Sequence, residues 1–366
     1  MTDALTGPAI DQTIDQTIHQ AIHQTAEHGG QLNAAVRRWG IAREDWLDLS
    51  TGITPWPWPV PPLPPEIWQR LPEDDDGLAS LAARWAGAPA TAGCVPVAGS
   101  QGVIAALPGL RQGYPAEQAS TAAARVGVIT PGYSEHRHSW AAAGYEVVPL
   151  SSVAQVTAML PQLQVLVWIN PNNPTGEIVP RQQLLQWHRA LAARGGWLIV
   201  DEAFLDASPA QSLAPDCGPD GLLVLRSLGK FFGLAGARTG LVCGPPALCA
   251  ALSQRLGLWA VSGPARFAMR AALADQAWQA QARTRLAAAA QALQALLRRH
   301  GLTPSGACDL FCYCPHPDAL RLADGLARHG ILVRCFAEPP ALRFALPADA
   351  AAMARLDAAL QSEATV

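Results

Sequence analysis

From Gly77 onward, short apolar runs alternate with longer segments whose apolar positions recur every three to four residues. The runs at 94–98, 125–130, 145–149, 164–169, 197–201, 222–226 and 238–243 have strand length, and many are bounded by turn formers. Segments 77–86, 101–110, 134–143, 181–194 and 245–256 have helical spacing. This alternation predicts a mostly parallel sheet covered by helices on both faces. Alanine-rich sequence over 262–299 predicts one or two long helices. Strands near 308–314, 331–335 and 341–346, with helices near 317–329 and 347–361, then predict a smaller α+β unit. Upstream, Ile10, Ile14, Ile18 and Ile22 form one apolar stripe on a helix over 9–27, and the proline-rich run Pro55–Pro65 predicts an extended loop.

Composition narrows the classes. Half of the 366 residues are hydrophobic and 15% are charged, which predicts a compact globular protein. A formal charge of −3 leaves no basic footprint, so nucleic acid is not an expected partner. No apolar run reaches membrane-spanning length and no signal peptide is evident, so no membrane association is expected. Eight scattered cysteines suggest no disulfide framework and a cytoplasmic location. Cys308, Cys312 and Cys314 cluster near His316, but Leu310–Cys314 alternates like a strand and lacks a second ligand pair, so core thiols are expected rather than metal. His19 and His23 have metal-binding spacing with nothing nearby to complete a site.

The chemistry concentrates around one residue. Lys230 is the only lysine in the chain, in the segment Ser227-Leu228-Gly229-Lys230, with Arg238 eight residues on. An amine, unlike a guanidinium, can lose its proton and add to a carbonyl to form a Schiff base, which makes Lys230 the candidate covalent catalytic group. Three other segments end short strands in turn-forming or polar sequence. They are Pro96-Val97-Ala98-Gly99-Ser100-Gln101, Val165–Ile169 followed by Asn170-Pro171-Asn172-Asn173-Pro174, and Trp197–Val200 followed by Asp201-Glu202-Ala203-Phe204. An acidic residue at the carboxyl end of a buried strand faces the crevice where open α/β sheets bind ligands, and free amides at a helix start can hold a phosphate.

In this order and spacing, these segments resemble the fold-type I pyridoxal-phosphate enzymes of the class I/II aminotransferase superfamily, over nearly the whole chain. The resemblance implies an α/β fold with a large cofactor-binding domain over 51–260, a smaller C-terminal domain over 261–366, and an arm, 1–50, packing against the small domain and the active site. It also implies the cofactor pyridoxal 5′-phosphate, a homodimer, and a set of roles. Lys230 would bond the cofactor, Asp201 would pair with its ring nitrogen, Asn173 would donate to O3′, and Tyr133 would stack on the ring opposite Ala203. Ser100, Gln101, Ser227 and Arg238 would hold the phosphate, and Arg343 would hold the substrate carboxylate. A tyrosine that many relatives donate across the dimer is absent from Leu71–Asp76.

Two features choose among reactions. Phe204 replaces the tyrosine usual in aminotransferases, and Glu27-His28-Gly29-Gly30 with Trp46–Ile53 resembles the opening of the threonine-phosphate decarboxylases of cobalamin synthesis. That likeness implies a phosphorylated amino-acid substrate surrounded by His28, Gly29, Asn173, Arg334 and Arg343, and an amine product passed to another enzyme of the pathway. The chain departs from that pattern at Gln31 and Gly52, where asparagine is usual. The alternatives are a histidinol-phosphate aminotransferase and a non-catalytic relative retaining the fold.

Overall fold

The computed structural model describes residues 29–113 and 124–364. The helix expected over 9–27, with His19 and His23, and the candidate substrate residue His28 lie outside the described residues. The strands are β1 (Leu47–Leu49), β2 (Gly93–Val97), β3 (Arg125–Ile129), β4 (Glu146–Leu150), β5 (Val165–Ile169), β6 (Trp197–Asp201), β7 (Leu222–Ser227), β8 (Gly240–Gly244), β9 (Gly306–Cys308), β10 (Phe311–Pro315), β11 (Ile331–Ala337) and β12 (Pro340–Ala345).

One sheet runs β2-β8-β7-β6-β5-β3-β4. Its β3, β4, β5, β6 and β7 are mutually parallel, whereas β8 runs antiparallel to both β7 and β2. All five residues of β5 and of β6 are buried, as a strand covered by helices on both faces requires. The carboxyl ends of β3, β5, β6 and β7 therefore share one edge, where the chain turns through Thr130–Tyr133, Asn170–Asn173, Asp201–Phe204 and Ser227–Lys230. Because β8 is reversed, its first residue, Gly240, pairs with Ser227 on one side and Val97 on the other. That reversal carries Arg238 and the Gly99–Ser100 turn to the same edge.

The second sheet runs β1-β11-β12-β10-β9. β1 adds in parallel to β11, while β11, β12, β10 and β9 are antiparallel to their neighbours. The expected strand at 308–314 is two strands broken at Asp309–Leu310, and helices at Leu32–Trp39, Glu66–Gln69 and Val153–Met159 were not anticipated. Asp275 divides the alanine-rich segment into helices Gly263–Ala274 and Gln276–Arg299 by capping the second, its carboxylate accepting from Trp278 N at 2.9 Å. Helix 263–274 packs on helix Leu78–Ala86 beside the large sheet. Cys312 and Cys314 are buried within β10, and burial raises both thiol pKa values. No described helix is long and apolar enough to cross a membrane.

Candidate active site

A cleft of about 460 Å³ opens between the two sheets. Its walls include Gly29, Gly52, Tyr133, Arg137, Asn173, Phe204, Lys230, Arg334 and Arg343. A larger cavity of about 700 Å³ lies between helices 66–69 and 263–274, and none of the candidate site residues lines it.

Lys230 follows β7 and is held by its own carbonyl, which accepts from Thr54 N at 3.0 Å and Gly233 N at 3.3 Å. Its ammonium lies 5.3 Å from the centre of the Phe204 ring. Burial, with Arg343 and Arg238 nearby and only Asp201 opposing, brings its pKa down to about 8. Desolvation thus favours the neutral amine, the nucleophilic form.

Asp201 ends β6 with its carboxylate almost fully buried. Oδ1 accepts from Ala203 N at 3.0 Å, and Oδ2 lies 2.9 Å from His136 Nε2. His136 is fully buried on helix Ser134–Ala142, and its Nδ1 has no hydrogen-bond partner among the described residues. Nothing in the local sequence singles out His136. Its ring meets that of Tyr133, the residue before the helix, edge to face at 6.2 Å.

The Tyr133 hydroxyl donates to Gln101 Oε1 at 2.9 Å, and Gln101 Nε2 donates to Glu135 Oε2 at 2.7 Å. Burial, with Glu135 and Asp201 nearby, pushes the Tyr133 pKa up to about 12, so the phenol stays protonated. The Gln101 side chain, expected in a phosphate cup, is therefore engaged with Tyr133 and Glu135, which leaves its backbone amide at the helix start. Around that start, Ser100 opens the helix to Gly113, Ser227 Oγ accepts from Gly229 N at 3.3 Å, and Arg238 adopts φ +54°. Gly99 has φ +75°, which favours glycine, and a Cβ there would lie 2.7 Å from Arg238 Nη2, so the guanidinium packs directly on this turn. Helix amides, a hydroxyl and a guanidinium converge here as a set suited to a phosphate.

Across the cleft, Arg343 on β12 is buried and bonds outside its own sheet. Nη2 donates to Ser50 O at 2.8 Å, Nη1 donates to Asn173 Oδ1, and Nε has no partner among the described residues. The β11–β12 register sets Arg334 directly opposite Arg343. Burial and then Arg334 bring the Arg343 pKa down to about 10. Like charges placed opposite one another across a ladder are destabilising, so this pair is suited to sharing an anion. Gly29 closes over it. A Cβ at Gly29 would lie 2.4 Å from Ser50 O, and Gly30 N donates to Ser50 Oγ at 2.8 Å. The segment lacking the family tyrosine is tied down differently, with Asp74 and Asp76 accepting from Arg266.

Residues 92–360 match the family described as aminotransferase class I and II, and the chain belongs to that family. It is 51% identical over 334 residues to a threonine-phosphate decarboxylase of Pseudomonas aeruginosa, covering 91% of this chain and 97% of that one. A threonine-phosphate decarboxylase of Sinorhizobium is 38% identical, again covering 91% and 97%. In fold, the chain resembles the histidinol-phosphate aminotransferase of Sinorhizobium meliloti solved with pyridoxal 5′-phosphate. The TM-score is 0.78 at 21% identity, covering 93% of this chain and 96% of that one.

Proposed function

We propose that this protein decarboxylates L-threonine O-3-phosphate to (R)-1-aminopropan-2-ol O-2-phosphate, the linker precursor of cobalamin, using pyridoxal 5′-phosphate. The observation that carries this reading is the Arg334–Arg343 pair facing Lys230 across the cleft, a receptor for an amino acid bearing two anionic groups. The strong similarity to a threonine-phosphate decarboxylase over almost the whole length supports it.

The residues fit the cofactor. The buried Asp201 carboxylate suits a protonated ring nitrogen, and the donors around Gly99 suit a phosphate. When bound, pyridoxal 5′-phosphate supplies an aldehyde for amines and a ring that withdraws electrons from a bond breaking at the amino acid's Cα. Lys230, whose amine is readily neutral in this buried setting, would hold the cofactor and would be the group placed to return a proton to the substrate's Cα. His136 orients the Asp201 carboxylate. Asn173 is fixed on one side by Arg343, which leaves its amide N–H₂ to donate to the cofactor's O3′. Ser100, Ser227, Arg238 and the Gln101 amide would hold the cofactor phosphate, and Tyr133 would pack on its ring. Arg334, Arg343 and Gly29 would bind the substrate anions, and the resemblance adds His28, which lies outside the described residues, to this set.

Phe204 speaks against the aminotransferase alternative, since it has no hydroxyl to share with O3′. A homodimer is part of this reading, supported by the exposed Trp68, Leu258 and Trp259. So are a cytoplasmic location and transfer of the amine to a following enzyme. Incubation of the loaded protein with L-threonine O-3-phosphate tests the function. Stoichiometric CO₂ with the cofactor unchanged is expected, and accumulation of pyridoxamine 5′-phosphate would establish transamination instead.

A further inference from the structure

Gly52 is one of the positions where the chain departs from its resemblance, and the structure gives that departure a purpose. A Cβ built on Gly52 would lie 2.6 Å from Phe204 Cε1, 3.2 Å from Phe204 Cζ and 3.1 Å from Phe311 Cδ1. The space a side chain would need is already filled by the edge of the Phe204 ring. Gly52 is not in the left-handed region, so a turn does not explain the glycine. Close approach of the ring does.

Phe204 is buried and packs edge to face on Phe311 at 5.1 Å, interplanar angle 90°. Lys230 Nζ stands 5.3 Å from the centre of Phe204, and Arg343 Cζ stands 5.0 Å from the centre of Phe311. The two rings therefore bridge the amine that meets the substrate's Cα and the guanidinium that meets its anions. Phe204 and Gly52 both line the cleft. An amino acid bound with its nitrogen near Lys230 and an anion near Arg343 would therefore lie beside this wall.

We propose that Gly52 and Phe204 act together as the specificity wall of the site, selecting a phosphorylated amino acid with a methyl group on Cβ over its unbranched homologue. The inference rests on the decarboxylase reading above. The missing Cβ at 52 admits the ring edge, and the ring edge gives a β-methyl group an apolar surface where an unbranched substrate leaves a gap. One methyl contact in an apolar pocket is worth roughly tenfold in kcat/KM, and up to about two hundredfold where the fit is tight.

The test compares L-threonine O-3-phosphate with L-serine O-phosphate in the loaded wild type, Phe204→Leu, Gly52→Ala and the double variant, with Tm measured for each protein. Wild type should prefer the threonine ester by about tenfold or more, and Phe204→Leu should bring the ratio close to one. Gly52→Ala alone should lower Tm and activity on both esters by forcing the ring aside. In the double variant the shorter leucine side chain should relieve the clash, so the Tm loss is smaller than the sum of the two single losses. A ratio that ignores Phe204→Leu, or Tm losses that simply add, overturns the wall. A wild type that decarboxylates neither ester overturns the proposed function and this inference with it, which is a different result from a decarboxylase indifferent to residue 204.

Discussion

Lys230 carries the tightest constraint at the scale of single residues, because its environment works on one proton. Its pKa of about 8 against an ordinary 10.5 means that the unfolded chain holds more protons than the folded one across that window. The stability of the cofactor-free protein should therefore rise with pH from about 8 to 10.5 relative to Lys230→Met, with no relative change below 8, where both states keep the proton. Thermal melts of the two proteins across that range check the sign. A parallel pair of curves would mean that the ammonium is not desolvated as the structure implies. Replacing the amine altogether has a sharper consequence. Lys230→Arg should take up no covalent cofactor, and borohydride reduction should label the Lys230 peptide of the wild type and nothing in the variant. Arg238 makes the complementary case. In the proposed function it holds the cofactor phosphate rather than reacting atoms, so Arg238→Ala should weaken cofactor binding by one to two decades, from a lost charged contact of about 1.5–3 kcal/mol. The rate at saturating cofactor should change far less.

Secondary-structure elements bring these residues together, and here the reversed β8 and the added β1 matter most. β8 brings Arg238 to Ser227 and Gly99, while β1 joins β11 and leads straight into Ser50, the contact point of both Gly29–Gly30 and Arg343. Gly29→Ala should displace the arm, because its Cβ would meet the fixed backbone oxygen of Ser50. KM for the phosphorylated substrate should rise by about ten- to hundredfold while the absorbance of bound cofactor stays as in the wild type. Deleting residues 1–30 should do the same, and full activity after deletion would reduce the arm to packing. Much of this architecture was legible in the sequence. The buried strands β5 and β6 announce themselves as apolar runs of fixed length ending in Asn170 and Asp201, because a strand covered on both faces has no room for polar side chains. β1 did not, since three residues carry no period, and its parallel pairing depends on β11 nearly three hundred residues away. His136 was hidden for a related reason. It lies in Ser134-Glu135-His136-Arg137-His138, which looks solvated throughout, and only the tertiary fold shows that one of its histidines is buried against Asp201.

At the scale of the whole molecule, the cleft is a joint between two sheets. Arg343 belongs to the small sheet and Asn173 to the edge of the large one, so their hydrogen bond spans the joint, and Arg334 adds a second positive charge beside it. A ligand with two anionic groups and an amine should act as a clamp, touching arginines on one side and Lys230 and Asn173 on the other. Ligands that bind only the folded state stabilise it by mass action, about 2.7 kcal/mol at a hundredfold excess over Kd. For a chain of this size that is a rise in Tm of roughly 2–4 °C. L-Threonine O-3-phosphate added to the cofactor-free protein, where no reaction can follow, should give such a rise. Free L-threonine at the same concentration should give much less, since it lacks the second anion. The rise should collapse in Arg334→Gln, because one of the two positive charges set opposite each other on β11 and β12 is then gone and a single guanidinium, already bonded to Asn173 and Ser50, faces both anions. Equal shifts with the two amino acids, or a shift that survives Arg334→Gln, would mean that the arginine pair does not read the phosphate and that the clamp lies elsewhere in the cleft.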